Sequence, residues 1–323
     1  MLLPPKPQLT VCFAHRAYRL AERFELRNTG IGYVQARSPD DLLHQLREAD
    51  VLVVSMLWNN AFAKDMPRLK FIQSISAGVD YYDQDVLRAQ GIRLASAAGV
   101  NAEAVAEHAM ALTLALYRKL PEARDNQTAR HWRGMISDIS SREDQLTGKT
   151  MLIVGLGRIG ARLAKLAKAF DMQVLAVRRD PTAGPGPADA VFAQDKLHEV
   201  IGRADVVALT CPLTPETENL IDARALAAMR PTAYLINVAR GRVVDETALV
   251  TALQERRISG AGLDVVVDEP LPADSPLWSM PNVLITPHTA GETQRYEDAV
   301  IDILLENLDR LWRGETTLKN QVV

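Results

Sequence analysis

Along the first hundred residues, short apolar runs alternate with stretches whose apolar residues recur at helical spacing. Residues 9–14, 31–34, 51–54, 71–75 and 92–95 predict strands, and 40–47 carries a helical pattern between two of them. Short, nearly continuous apolar runs suit strands buried on both faces. Strands alternating with helices imply parallel βαβ units whose sheet faces the helices cover. A long apolar helix is predicted from near Ala102 to Tyr117, and after it the pattern restarts with strands at 150–154, 173–177, 205–210, 233–237, 262–266 and 283–285. Residues 181–189, PTAGPGPAD, read as a loop from their proline and glycine content. Residues 287–291 mark a break before a last helix over 293–312, which sets Val300, Ile301, Leu304, Leu305, Leu308 and Leu311 on one face. That face can pack back on the first domain. The expected division is 1–99 with 290–323 as one discontinuous domain and 100–289 as the other, each an α/β doubly wound parallel sheet.

Composition fits this division. A chain of 323 residues that is 47% hydrophobic can fill two cores. A net charge of −3 gives none of the basic footprint that nucleic acid requires. Cys12 and Cys211 stand far apart, in no metal-ligand spacing, so the expectation is no metal and reduced thiols in a cytoplasmic protein. The start, MLLPPKPQLT, has neither the basic flank nor the apolar run of a secretory signal. The apolar stretch 104–117 is too short for a bilayer and carries Glu107 and His108, so no membrane partner is expected.

The run TMLIVGLGRIGARLAKLAKAF sets Gly155, Gly157 and Gly160 between a strand and an amphipathic helix. In a dinucleotide fold the first glycine permits the tight turn, the second lets backbone approach a pyrophosphate, and the third allows close helix packing. The free N–H groups at the helix start then face the phosphates. At the end of the next strand, where an acidic residue would accept hydrogen bonds from the ribose of NAD, this chain has VLAVRRDP. Arg178 and Arg179 suit a 2′-phosphate, so NADP(H) is favoured and NAD(H) is possible. Alternatively both arginines are solvated and Asp180 takes the ribose.

Hydride transfer to a 2-oxoacid needs a cation for the carboxylate, an acid for the carbonyl oxygen and a partner that keeps the acid charged. Arg240 follows the strand AYLIN, Glu269 follows GLDVVV and His288 follows VLITP, one candidate for each task beyond a strand end. Ligands in open parallel sheets bind at those ends. Taken singly, a histidine after a proline or an arginine in a glycine-containing turn also occurs as a structural or solvated residue.

The runs GVNAEAVAEHAMALTLAL, VGLGRIGARLAKLAKAF, CPLTPETENLI, INVARGRVVDETAL, AGLDVVVDEPLP and LWSMPNVLITPHTAG resemble the D-isomer-specific 2-hydroxyacid dehydrogenases in order and spacing. The resemblance covers nearly all of the chain beyond Gly99, and before that it rests mainly on SISAGVD at 74–80. It implies two Rossmann-like or flavodoxin-like domains with the active site in the cleft between them. It makes Arg240 the carboxylate and carbonyl anchor, Glu269 the partner and His288 the acid/base, with Arg240 and His288 also counted among the residues that touch the cofactor. It also assigns Ser76, Ala77 and Gly78 to a loop whose N–H groups share the substrate carboxylate, and Arg158 and Ile159 to the turn over the pyrophosphate. Thr210, Cys211 and Pro212 would line the adenosine half, with Val238 and Ala239 along the nicotinamide. Asp264 would accept from the carboxamide, or serve instead as a buried structural acid. The implied reaction is reduction of a small 2-oxoacid such as glyoxylate or hydroxypyruvate to the D-hydroxyacid, in a homodimer formed through the cofactor domain.

Several residues are left outside this scheme. His108 is expected as a satisfied core histidine. Trp132 caps a substrate pocket, in its own or a neighbouring subunit, or simply packs. Met56, Leu57 and Trp58 are candidates for the wall around the substrate side chain, and SREDQ at 141–145 for a solvated face. Rival readings are an NAD-dependent phosphoglycerate-type dehydrogenase and a dinucleotide-sensing corepressor or scaffold. A formate dehydrogenase pairs its histidine with glutamine, where this chain has Glu269.

Overall fold

The computed structural model describes residues 3–323. The chain divides into two compact units, Met1–Asn101 with Glu292–Val323, and Ala102–Gly291.

The first unit runs β1 (Thr10–Ala14), α1 (Leu20–Glu25), β2 (Gly32–Ala36), α2 (Pro39–Leu46), β3 (Val51–Val54), β4 (Phe71–Ser74), α3 (Gln84–Ala89) and β5 (Arg93–Ala95). Its sheet is parallel throughout, in the order β2-β1-β3-β4-β5. Successive side chains of a strand point to opposite faces, and the core divides accordingly. Val11, Phe13, Val51, Val53 and Phe71 pack with Leu20 and Phe24 of α1 and with the C-terminal helix Tyr296–Trp312. Cys12, Ala14, Leu52, Val54 and Ile72 pack on the other side with Leu42, Leu46 and Leu87. The apolar stripe of the C-terminal helix, Val300, Ile301, Leu304, Leu308 and Leu311, completes the first of these cores.

The second unit contains α4 (Ala102–Tyr117), α5 (Leu120–Thr128), β6 (Thr150–Val154), α6 (Arg158–Ala169), β7 (Gln173–Arg178), β8 (Ala190–Ala193), α7 (Leu197–Val200), β9 (Val206–Leu209), α8 (Ala223–Ala228), β10 (Tyr234–Asn237), α9 (Glu246–Gln254), β11 (Gly260–Leu263) and β12 (Val283–Ile285). Its seven parallel strands lie in the order β12-β11-β10-β9-β6-β7-β8. The order reverses between β6 and β9, and a sheet of this kind leaves its ligand crevice outside the carboxyl ends of those two strands. Met151, Ile153, Val174 and Ala176 face α4 and α6, while Leu152, Val154, Leu175 and Val177 face the layer of α7, α8 and α9.

Two local departures from the sequence pattern have physical causes. The strand expected over 262–266 lies at Gly260–Leu263, because the chain leaves the sheet at Asp264. Small residues are required here: a Cβ on Gly260 would overlap the Asn282 carbonyl, and one on Gly262 would stand 3.1 Å from Leu112. The edge strand β8 was not foreseen, since its four half-buried residues follow directly on the glycine-rich loop. Among the described residues, no helix is long and apolar enough to cross a membrane.

Candidate active site

The chain leaves β6 through Gly155 at φ +103°, a conformation that favours glycine. A Cβ there would lie 2.6 Å from the backbone nitrogen of Cys211, and one on Gly160 would overlap the Gly155 carbonyl oxygen. Thr210, just past β9, donates its hydroxyl to the same oxygen at 2.7 Å, so the two loops at the strand-order reversal are tied together. Gly157 differs, since a Cβ there would meet nothing within 4 Å. Gly157 is also the N-cap of α6 and provides no side-chain cap, whereas Ser38, Asp83, Asp222 and Asp245 cap α2, α3, α8 and α9. The first turn of α6, with Arg158 exposed and Ile159 half-buried, thus presents its positive end to open space. Both features fit a dinucleotide phosphate. Cys211 is buried, and burial pushes its thiol up to about 11, which suits packing and not nucleophilic attack. Pro212 follows it, exposed.

Arg178 ends β7 half-buried and Arg179 is exposed beside it. Asp180 turns away to cap the short turn Pro181–Ala183, its Oδ1 accepting from Thr182 N at 2.9 Å and Thr182 Oγ1 at 2.6 Å. These two bonds, reinforced by Arg178 and Arg179, hold its carboxyl below the usual range.

Asn237, the last residue of β10 and 1% exposed, shapes the next loop. Its Oδ1 accepts from Ala239 N at 3.0 Å and its Nδ2 donates to Arg240 O at 3.0 Å. Val238 and Ala239 are buried within this staple, and Arg240 Nη1 donates to Ala239 O at 2.8 Å. At Gly241 a Cβ would overlap the carbonyl group of Val266. The arginine loop therefore lies directly on the loop that carries Glu269, whose Oε1 accepts from Val266 N at 3.2 Å. Glu269 Oε2 stands 2.7 Å from His288 Nδ1. Burial raises the Glu269 carboxyl, but the His288 contact, the Val266 N–H and the Arg240 charge outweigh it and hold the group below its ordinary value. All three candidate catalytic residues belong to the second unit.

His288 has φ +54°, in the left-handed region. Its N–H donates to Asp264 O at 2.8 Å and Thr286 O at 3.0 Å. Asp264, 3% exposed, accepts Thr286 Oγ1 at 2.6 Å and Thr289 N at 3.0 Å on Oδ1, and Ala290 N at 3.1 Å on Oδ2. Its carboxylate thus serves mainly as a loop clamp, with one lone pair of Oδ2 left over. His108, half-buried on α4, approaches Thr286 Oγ1 with its Nε2 at 2.8 Å. Sequence reasoning missed Asn237, Gly241 and Thr286. For the first two a signal existed in an amide at a strand end and a glycine after the arginine, whereas nothing local marks Thr286.

In the first unit, residues 76–78 follow β4 and are half-buried. Ser76 N already donates to Ser74 Oγ at 3.1 Å, which leaves Ala77 and Gly78 as the N–H groups of that loop without a partner among the described residues. Residues 56–58, expected along a pocket wall, divide between surface and core. Met56 is exposed, but Leu57 and Trp58 are core residues, with Trp58 Nε1 donating to Asn60 Oδ1 at 2.8 Å. The charge run at 141–145 also does more than face solvent: Glu143 pairs with Arg133, and Asp144 with Lys149 at 2.6 Å.

Residues 110–290 match the family model described as D-isomer specific 2-hydroxyacid dehydrogenase, NAD binding domain. The glyoxylate/hydroxypyruvate reductase B of Yersinia enterocolitica is 36% identical over 303 residues, covering 93% of this chain and 91% of that protein. The D-3-phosphoglycerate dehydrogenase of Methanocaldococcus jannaschii is 36% identical over 282 residues, or 85% of this chain, and this chain spans about half of its length, 52%. Among solved structures, a D-isomer specific 2-hydroxyacid dehydrogenase family protein from Aeromonas salmonicida superposes with a TM-score of 0.83 at 31% identity, covering 98% of this chain and 99% of that one.

Proposed function

This chain belongs to the D-isomer-specific 2-hydroxyacid dehydrogenases, oxidoreductases with a nicotinamide dinucleotide cofactor, and from that premise we propose that it reduces a small 2-oxoacid to the D-2-hydroxyacid with NADPH. The observation that carries the reading is the contact of 2.7 Å between His288 and Glu269, on a loop packed through Val266 against Gly241 of the loop that carries Arg240. When bound, the dinucleotide would supply the hydride that C2 of the substrate accepts. Arg240 takes the carboxylate, which its planar fork matches. Glu269 occupies Nδ1 of His288, so Nε2 is the nitrogen that gives its proton to the carbonyl oxygen. Gly155, Gly157 and Gly160, with Arg158 and Ile159, cradle the pyrophosphate. Thr210, Cys211 and Pro212 line the adenosine half and Val238 and Ala239 the nicotinamide, while the remaining lone pair of Asp264 accepts from the carboxamide. In the first unit, Ala77 and Gly78 carry N–H groups of the kind a carboxylate takes.

NADPH is favoured because neither Arg178 nor Arg179 lies within salt-bridge distance of a carboxylate among the described residues, while Asp180 is committed to its own turn. A homodimer is supported by α5 and the arm after it. Helix α5 buries no residue, and Trp132, Met135 and Ile139 lie exposed beyond it.

Initial rates with glyoxylate, hydroxypyruvate and longer 2-oxoacids, each with NADPH and NADH, test the substrate and the cofactor together. NADPH-dependent turnover of the short 2-oxoacids is expected. Arg178→Ala/Arg179→Ala should raise KM for NADPH at least about tenfold, as lost charge-assisted bonds of roughly 1.5–3 kcal/mol imply, and leave NADH nearly unchanged. Equal losses with both cofactors would remove the phosphate role, and turnover confined to 3-phosphoglycerate with NAD would replace the substrate assignment.

A further inference from the structure

His288 is held at φ +54°, in the left-handed region, which histidine enters more often than most side chains but which still needs support from its surroundings. The strand that leads to it offers little support. β12 is an edge strand of three half-buried residues. What secures the turn is Asp264, which receives the N–H groups of His288, Thr289 and Ala290 on its carbonyl and its two carboxylate oxygens. Thr286 adds a fourth bond, from Oγ1 to Oδ1.

The direction of that fourth bond fixes the next one. An ionised carboxylate only accepts, so the single proton of the Thr286 hydroxyl points to Asp264. At 2.8 Å, His108 Nε2 must then donate to a lone pair of Thr286 Oγ1, which assigns the Nε2–H tautomer to a neutral His108. The same nitrogen lies 3.6 Å from Asp264 Oδ1. With His108 donating, Thr286 Oγ1 is held from both sides; without it, the hydroxyl keeps its bond to Asp264 but loses its tie to α4. His108 stands on α4, whose neighbouring Ala106 and Ala109 are fully buried, so the chain Asp264, Thr286, His108 ties a weakly packed turn to a rigid helix. The groups facing His288 and this chain are Glu269, Asp264 and His108, with Arg240 acting on Glu269.

We propose that His108 is a positioning residue for His288, acting through the Thr286 hydroxyl on the Asp264 clamp. The proposal rests on the reading of His288 as the acid, but the clamp itself is measurable without it. The informative pair of variants is His108→Leu, which fills the space and removes the donor, and His108→Gln, whose amide nitrogen can restore it.

In the full-length protein, His108→Leu should lower kcat for 2-oxoacid reduction about tenfold, within the roughly 10²-fold that a misplacement of 1 Å can cost, with KM nearly unchanged. His108→Gln should recover most of that loss. Thr286→Val should act like His108→Leu, and the double variant should be no worse than either, because the two groups act as one chain. Without substrate, the ring resonances of His288 should form one sharp set in the wild type and in His108→Gln, and broaden or double in His108→Leu. A His108→Leu protein with unaltered kcat and unaltered His288 resonances overturns the proposal, as does a His108→Gln protein as impaired as the leucine variant. If the wild type reduces no 2-oxoacid, the functional reading fails, and the resonances still decide the clamp.

Discussion

His288→Ala is expected to lower kcat for 2-oxoacid reduction by roughly 10²–10⁴-fold, the usual range for a positioned general acid, while NADPH binding stays within a few-fold. The separation of these two effects follows from where the residue stands. Its imidazole is exposed and touches Glu269 at 2.7 Å, whereas the glycine turn and Thr210 are held by contacts with Gly155 and Cys211 in which His288 takes no part. Alanine also tolerates φ +54° poorly, so the loop gains mobility as well as losing its acid. The measurement is steady-state kinetics beside a fluorescence titration of NADPH. Near-normal turnover would remove His288 from the reaction, and loss of NADPH binding would make it a cofactor residue.

The second large effect is expected at Gly241. A Cβ at this position would overlap the carbonyl carbon and oxygen of Val266 and reach the nitrogen of Val267, all backbone atoms that no rotamer change can move. Gly241→Ala must therefore push apart the loop that carries Arg240 and the loop that carries Glu269. Overpacking of this kind costs about 1–3 kcal/mol and at times more. The displacement falls on Val266, whose N–H holds Glu269, and on Val267, whose N–H donates to Glu246 Oε2 at 2.9 Å. A lowered unfolding midpoint should thus accompany a fall in kcat of more than about tenfold, in line with the sensitivity of catalysis to small displacements. A Gly241→Ala enzyme with wild-type kcat would show that the Arg240 and Glu269 loops need not be locked together.

What could be read from the chain depended on whether the cause was local. The strands that begin or end in apolar runs, such as TMLIV and VLVV, were legible because burial on both faces leaves few polar residues in them. The strand GAGL was displaced in the reading because its glycines answer to Asn282 and Leu112, which press on it from elsewhere in the fold. The short helices α1, α5 and α7 carried too little periodicity to be read, and α5 buries nothing that would have marked a face. In the site, Gly155 and Gly160 were legible because each answers a backbone demand of the turn, whereas Gly157 faces only the open space at the start of α6. Arg240, Glu269 and His288 were legible as candidates at strand ends, and the contact of 2.7 Å between the last two is what the structure adds. The clamp behind them was not: His108 and Thr286 are 178 residues apart, and their meeting depends on how α4 packs beside β11 and β12. Trp58 stayed open for a related reason, since an indole after a strand looks the same in a pocket wall and in a core until its neighbours are known.

The configuration at C2 of the product tests the central claim most directly. Glyoxylate cannot serve, because its product is achiral. Hydroxypyruvate or pyruvate can, with NADPH in excess and the product separated on a chiral phase. The D-hydroxyacid alone, formed in step with NADPH consumed and absent with His288→Ala, is the expected result. The L-isomer, a racemate, or no product from any 2-oxoacid would contradict the assignment of Arg240, Glu269 and His288 to this reaction.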